Sequence, residues 1–181
     1  MEWKLLGKVK AGDDVSAAIV NTSSTSGLHS NIGQGNYGPA KSAIATLSII
    51  AARELGRYGV RVNAIAPSAR TRMTLATPGL GERVAAPEDG SFDQWDPAHI
   101  SPLVAWLCTE TCPATGQVYW VGGNRIARYL EWARRDTAKT EGRWTFDELD
   151  EVVGGWETDW VDSRAIQVTE TKTFGRNASE S

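Results

Sequence analysis

The chain has 181 residues, 41% of them hydrophobic and 23% charged, with a formal net charge of -3 at pH 7. Such a chain can bury one ordinary core, so a single globular domain is expected and a wholly disordered chain is excluded. The small acidic excess gives no general electrostatic reason to bind nucleic acid or an anionic membrane surface, and a small soluble molecule is the expected partner.

The amino terminus, Met1-Glu2-Trp3-Lys4-Leu5-Leu6-Gly7-Lys8, has scattered charges and no sustained apolar run. Neither a signal peptide nor a membrane span is expected there, and the compartment that follows is the cytoplasm. Residues Trp3 to Lys10 fit the last turns of a helix, closed by Gly12-Asp13-Asp14. Ala17-Ala18-Ile19-Val20 is a short unbroken apolar run, the pattern of a strand buried on both faces of a parallel sheet. It gives way at once to Asn21-Thr22-Ser23-Ser24-Thr25-Ser26-Gly27, where the carboxyl end of such a strand would open into a ligand crevice.

From Asn36 to Leu55 the spacing predicts a helix, with Asn36 as its cap and Pro39 tolerated because it falls in the first turn. Gly56 and Gly59 close it, and Val60-Arg61-Val62-Asn63-Ala64-Ile65-Ala66 reads as a second strand stopped by Pro67. A strand, helix, strand unit of this kind predicts an α/β layered fold. Thr77 to Asp96, rich in glycine, proline and acids, reads as a flexible loop over the site. An amphipathic helix is expected over Pro97 to Glu110, a strand over Gln117 to Val121 and a tight turn at Gly122-Gly123. Two further helices are expected, over Ile126 to Arg135 and Phe146 to Val153, before a polar, disordered tail from Thr169 to Ser181. Cys108 and Cys112 are spaced as neighbours one helical turn apart, unlike a secreted disulfide framework. With His99 the only nearby addition to them, no metal site is expected.

Tyr37 and Lys41 stand four apart on the first predicted helix, which stacks them on one face. Taken alone this is the ordinary pattern of an exposed helix face. A tyrosine that is to act as a base near neutrality must have its hydroxyl lowered by about three pKa units, roughly 4 kcal/mol. A neighbouring ammonium works in that direction. Ser24, at the strand end facing the helix, can hold a substrate oxygen while Tyr37 exchanges the proton, which suits interconversion of a carbonyl and an alcohol.

The stretch Ile19-Val20-Asn21-Thr22-Ser23-Ser24, then Gly27, Gly33-Gln34-Gly35-Asn36-Tyr37, Lys41 and Val62-Asn63-Ala64-Ile65-Ala66-Pro67 resembles the short-chain dehydrogenase/reductase family. The shared features are a serine, then Y-x3-K, then a strand ending in N-x-x-x-P, in that order and spacing. The resemblance implies that Ser24 positions substrate, Tyr37 is acid or base, and Lys41 lowers the tyrosine pKa and binds the nicotinamide ribose of NAD or NADP. Ser23 and Ser26 are rivals, and the family's S-x12-Y spacing selects Ser24. Pro67-Ser68-Ala69-Arg70-Thr71-Arg72-Met73-Thr74 is similar to the segment that wraps the nicotinamide carboxamide in that family. It implies cofactor contacts at Pro67, Ala69, Arg70 and Thr71, with Ser68 standing where a glycine is usual.

Asn21-Thr22-Ser23-Ser24, Ala66 to Thr74 and Trp106-Leu107-Cys108-Thr109-Glu110-Thr111-Cys112 resemble one branch more narrowly, the (3R)-hydroxyacyl-CoA dehydrogenase part of peroxisomal multifunctional enzymes and their bacterial relatives. This implies an acyl-thioester substrate, with fatty acid metabolism as the setting. The fold expected is the C-terminal half of a Rossmann-like, doubly wound parallel sheet over residues 1–123. Extra C-terminal helices over 124–168 and the disordered tail over 169–181 complete it.

Gly33-Gln34-Gly35-Asn36-Tyr37-Gly38 spells G-x-G-x-x-G, yet a dinucleotide fingerprint follows a strand directly and its acid ends the next strand, whereas Glu54 falls inside a predicted helix. The family's own glycine-rich motif would precede Ser24, and nothing there matches it. A truncated chain is therefore expected, inactive alone and weakened as a homodimer, since family members pair through the helix bearing Tyr37 and Lys41 together with the one before the serine strand. The rival expectation is a non-catalytic interaction fragment. Within the enzyme class, the alternatives are a 3-ketoacyl reductase or a hydroxysteroid dehydrogenase.

Overall fold

The computed structural model describes residue 7, residues 15–132, residue 134 and residues 136–156. Apart from Gly7, the helix expected over Trp3 to Lys10 lies outside the described residues, as does the tail from Thr169. Two compact units divide the chain, Met1–Trp132 and Ala133–Ser181.

In the first unit the elements run β1 (Ala17–Thr22), α1 (Thr25–His29), α2 (Tyr37–Leu55), β2 (Val60–Pro67), α3 (Arg72–Leu75), α4 (Ser101–Cys108), β3 (Val118–Gly122) and β4 (Arg125–Arg128). They build one sheet in the order β1-β2-β3-β4. The β1–β2 and β2–β3 pairs are parallel and β3–β4 is antiparallel. This is the α/β fold with a parallel sheet that the sequence predicts.

Strand β2 is the centre of the core because its residues alternate between two covered faces. Val60 and Val62 pack with Ala52, and Ala64 with Ala45, under α2. Ile65 faces the other way, onto Leu103 and Leu107 of α4. Two polar residues on that second face are satisfied within it. The Arg61 guanidinium donates to the Leu107 and Thr109 carbonyls at 2.8 and 2.7 Å, closing the carboxyl end of α4. Buried Asn63 donates to the Ala114 carbonyl at 2.8 Å and accepts from the Gln117 amide at 3.0 Å, fixing the chain as it enters β3.

Several expectations are corrected. Strand β1 has α2 on one face and α4 on the other, yet its residues are half-buried because it is the outer strand of this sheet. The helix expected over Ile126 to Arg135 begins instead as β4. Gly123, at φ +54, lets the chain reverse tightly, and Arg125 then pairs with Gly122. The expected helix over Pro97 to Glu110 is a 3-10 turn, Pro97–Ile100, followed by the shorter α4. It stops at Cys108, so Cys112 is not on its next turn; Cys108 is exposed and Cys112 is in the core. Short α1 was not expected at all.

The second unit contains α5 (Phe146–Val152), close to its predicted span. Thr145 caps it through a reciprocal pair of bonds, Glu148 amide to Thr145 Oγ1 at 3.2 Å and Thr145 amide to the Glu148 carboxylate at 2.8 Å. Those Thr145 contacts hold the Glu148 carboxyl below its ordinary value.

Candidate active site

The site forms at the carboxyl ends of β1 and β2, where parallel strands leave their last backbone groups to loops. Ser23, next after β1, donates its amide to the Ile65 carbonyl at 2.7 Å, so the two strand ends stay paired up to the turn. The Ser23 hydroxyl donates to the Lys41 carbonyl at 2.7 Å and is 2% exposed. Ser24 is extended and starts α1, its hydroxyl accepting the Ser26 amide at 3.2 Å. The serine that spacing selects and the serine that shapes the turn are thus separate residues.

Helix α2 is set against this turn at very short range. A Cβ on Gly27 would lie 2.5 Å from the Ser42 amide nitrogen and 2.8 Å from the Lys41 carbonyl carbon, and one on Gly38 would lie 3.2 Å from the Ser26 carbonyl oxygen. Only glycines allow α1 and α2 to meet this closely. Asn36 accepts the Tyr37 amide at 2.8 Å and starts α2, with Pro39 in its first turn as expected. Asn21 ties β1 to the middle of the same helix, donating to the Ser48 hydroxyl at 3.0 Å.

Tyr37 and Lys41 then come together one turn apart. The Lys41 ammonium is 5.7 Å from the centre of the Tyr37 ring and donates to the Thr22 carbonyl at 2.9 Å. Tyr37 is 43% exposed, which leaves its ring open to a ligand. Ser24 lies two residues beyond that carbonyl, so serine, tyrosine and lysine share one strand end.

The second group of expected residues follows β2, whose last residue is Pro67. The Ser68 amide donates to the Val121 carbonyl at 2.8 Å and its hydroxyl accepts from the Trp120 indole at 2.9 Å. The Ala69 carbonyl accepts from the Thr74 hydroxyl at 3.4 Å. Thr71 caps α3: its hydroxyl accepts the Thr74 amide at 3.2 Å while the Thr74 hydroxyl accepts the Thr71 amide at 2.6 Å.

Arg70 is turned onto the loop. Its guanidinium makes a two-pronged pair with Asp93, at 3.0 and 2.5 Å, and also reaches the Val84 carbonyl at 3.1 Å. The paired hydrogen bonds hold the Asp93 carboxyl below the ordinary carboxylate value and raise Arg70 above its own. The stretch expected as a flexible loop is therefore anchored, and it contains a 3-10 turn, Glu82–Val84, with Val84 buried in it.

Two features of this region escaped the sequence. Asp93 lies among acids and glycines with nothing local to mark it. His29 Nε2 lies 2.8 Å from the Tyr129 hydroxyl, linking residues a hundred positions apart. In the G-x-G-x-x-G stretch Gly33 and Gly35 have open space around them and Gly38 packs on Ser26, while Glu54 lies within α2 as its spacing predicts.

A family model described as enoyl-(acyl carrier protein) reductase matches residues 6–123. Hydroxyacyl-CoA dehydrogenase ChsB1 of Mycobacterium tuberculosis is 41% identical over 125 residues, covering 68% of this chain and 38% of the relative. Peroxisomal multifunctional enzyme type 2 of Mus musculus is 38% identical over 116 residues, 64% of this chain and 14% of that protein. Among solved structures, a short chain dehydrogenase from Mycobacterium avium aligns with a TM-score of 0.67 and 44% identity, over 83% of this chain and 48% of its own. The chain spans less than half the length of each of these relatives.

Proposed function

The chain belongs to the short-chain dehydrogenase/reductase family, and from that premise we propose that it carries the catalytic half of an oxidoreductase interconverting a (3R)-hydroxyacyl thioester and its 3-ketoacyl counterpart. One observation carries the proposal. The Lys41 ammonium is held by the Thr22 carbonyl at 2.9 Å, one helical turn from an exposed Tyr37 and beside the strand end that bears Ser24.

In this reading the Ser24 hydroxyl hydrogen-bonds the substrate oxygen, and Tyr37 takes the proton from the alcohol or returns it to the ketone. Lys41 keeps a positive charge beside that exchange. An ammonium has three N–H donors, and the Thr22 carbonyl uses one, leaving donors for a ribose hydroxyl. The nicotinamide side of a dinucleotide therefore fits the residues present, with Lys41 and Tyr37 holding the ribose and the Pro67, Ala69 and Thr71 backbone beside the ring. A bound nicotinamide supplies the hydride acceptor or donor. Arg70 contributes through the loop it anchors, since its side chain is taken up by Asp93 and Val84. Among the described residues no glycine-rich turn joins a strand to a helix start, the feature that would hold the pyrophosphate. The cofactor is NAD or NADP, and the acyl-thioester class is supported by the likeness to hydroxyacyl-CoA dehydrogenase ChsB1.

The outer face of α2 supports a partner. Ala43, Leu47 and Ile50 recur at helical spacing and are exposed, Leu47 by 59% and Ile50 by 45%, an apolar stripe suited to a second copy of the chain.

The test joins this chain to the amino-terminal part of a relative and follows NADH absorbance with NAD and a (3R)-hydroxyacyl-CoA. Turnover that Tyr37→Phe removes supports the proposal. Turnover unchanged in Tyr37→Phe refutes the mechanism, and activity only on other alcohols refutes the substrate class.

A further inference from the structure

The segment from Thr71 to Phe92 leaves the carboxyl end of β2 and returns just before α4, and both of its ends are fixed. On the outgoing side Ser68 is bonded to Val121 and Trp120. On the returning side the Trp95 carbonyl accepts the Arg70 amide at 2.7 Å, and Gln94 packs so closely on Gly123 that a Cβ there would lie 3.0 Å from its Cγ. One ion pair joins the two ends, Arg70 to Asp93, and the same guanidinium reaches Val84 in the middle of the segment. Asp93 is itself held on two further sides, and its neighbour Phe92 is packed as well. The Asp93 carboxylate accepts the Trp95 amide at 3.1 Å, its carbonyl meets His99 Nε2 at 2.9 Å, and the Phe92 and His99 rings lie 5.0 Å apart.

We propose that Arg70 and Asp93 are positioning residues that act as a clasp, so that local opening of the Thr71–Phe92 segment is governed by this one pair. The segment lines a depression of about 550 Å³ formed by Leu75, Ala76, Thr77, Pro78, Gly81 and Glu82 among others. The use of the clasp in catalysis rests on the oxidoreductase proposal. Its existence does not, and the experiment reads the clasp alone.

The 181-residue chain offers a direct probe in the Arg83–Val84 peptide bond. Arg83 is exposed while Val84 is 2% exposed with its carbonyl bonded to Arg70, so trypsin cuts this bond only after the segment lifts. Cleavage at that bond is followed by mass spectrometry in the unmodified chain, in Asp93→Asn, in Arg70→Met and in the double variant, each at several low urea concentrations. A clasp predicts that either single substitution accelerates cleavage on the order of tenfold, the effect of losing charged hydrogen bonds when opening is faster than cutting. The double variant should be cut no faster than the faster single, because both remove the same interaction. Cleavage should also depend little on urea, the mark of a local opening that exposes little surface. Unchanged rates overturn the proposal. So does a double effect equal to the product of the singles, or a urea dependence as steep as that of global unfolding. If Arg70→Met does not fold, the near-isosteric Asp93→Asn decides by its rate and urea dependence.

Discussion

Ser23 and Lys41 are joined through the lysine backbone: the Ser23 hydroxyl donates to the Lys41 carbonyl at 2.7 Å, while the Lys41 ammonium returns to the Thr22 carbonyl at 2.9 Å. Two bonds in opposite senses thus lock the end of β1 to the second turn of α2. The first is buried and structural, and the second holds the charge in place.

Ser23→Ala and Ser24→Ala should therefore differ in kind. Removing the buried Ser23 hydroxyl leaves the Lys41 carbonyl without that partner and should cost about 1–3 kcal/mol of stability. Ser24→Ala loses a cap on a five-residue helix, worth about 0.5–2 kcal/mol, but in a turnover-competent chimera it should lower kcat far more than Ser23→Ala does. Urea titration and steady-state kinetics on both variants check this, and equal kinetic losses would erase the distinction.

Tyr37→Phe in the same chimera should reduce turnover by about 10²- to 10⁴-fold, because the ring is kept and only the exchangeable proton is lost. Cofactor affinity, measured by calorimetry, should change far less. The 181-residue chain assayed by itself should show no turnover above background at the NADH absorbance band, since its described residues provide the tyrosine and lysine but no pyrophosphate cradle.

Gly27→Ala tests the contact that brings the serine and the tyrosine helix together. The new methyl would meet backbone atoms of Lys41 and Ser42 at 2.8 and 2.5 Å, which cannot rotate away as a side chain could. Helix α1 must then shift off α2, at a cost of about 1–3 kcal/mol or more. Ser24 is carried with it, so the chimera should lose activity beyond what its remaining folded fraction explains. Activity proportional to the folded fraction would show that Ser24 stays in register.

The elements that position the site were legible because they rest on local signals. Asn36 and Pro39 mark the start of α2, and the alternation Val60, Val62, Ala64 against Ile65 marks β2. The family likeness likewise lies in a short contiguous text from Ile19 to Pro67. What sequence missed depends on partners far along the chain. The bond from Arg70 to Asp93 spans 23 positions and has no local signal in the sequence. Ile126 to Arg135 has helix-forming residues, yet Gly122-Gly123 turns the chain back onto the free edge of β3, and backbone pairing there overrides propensity. Half-burial of β1 is equally invisible, because an unbroken apolar run reads alike in a central and an outer strand.

Tyr129 gives a prediction for alkaline pH. Its ring packs on the cluster of Ala45, Ala64 and Val118, its hydroxyl is 2.8 Å from His29 Nε2, and burial raises its pKa above the ordinary value of 10.0. A neutral phenol that resists ionisation in the folded state binds its proton more tightly there than in the unfolded chain. Its contribution to stability is therefore fully present below pH 10 and is lost as pH rises through the raised folded value. Tyr119, also raised by burial, contributes in the same window, so the informative quantity is the difference from a variant. Tyr129→Phe should cost about 0.5–1.5 kcal/mol at pH 8, the net worth of the bond to His29. Between pH 10 and 11.5 it should lose less stability than the unmodified chain, so that the two curves converge. Urea midpoints at half-unit steps from pH 8 to 11.5 measure this directly, and curves that stay parallel throughout would mean that Tyr129 ionises equally well in the folded and unfolded chains.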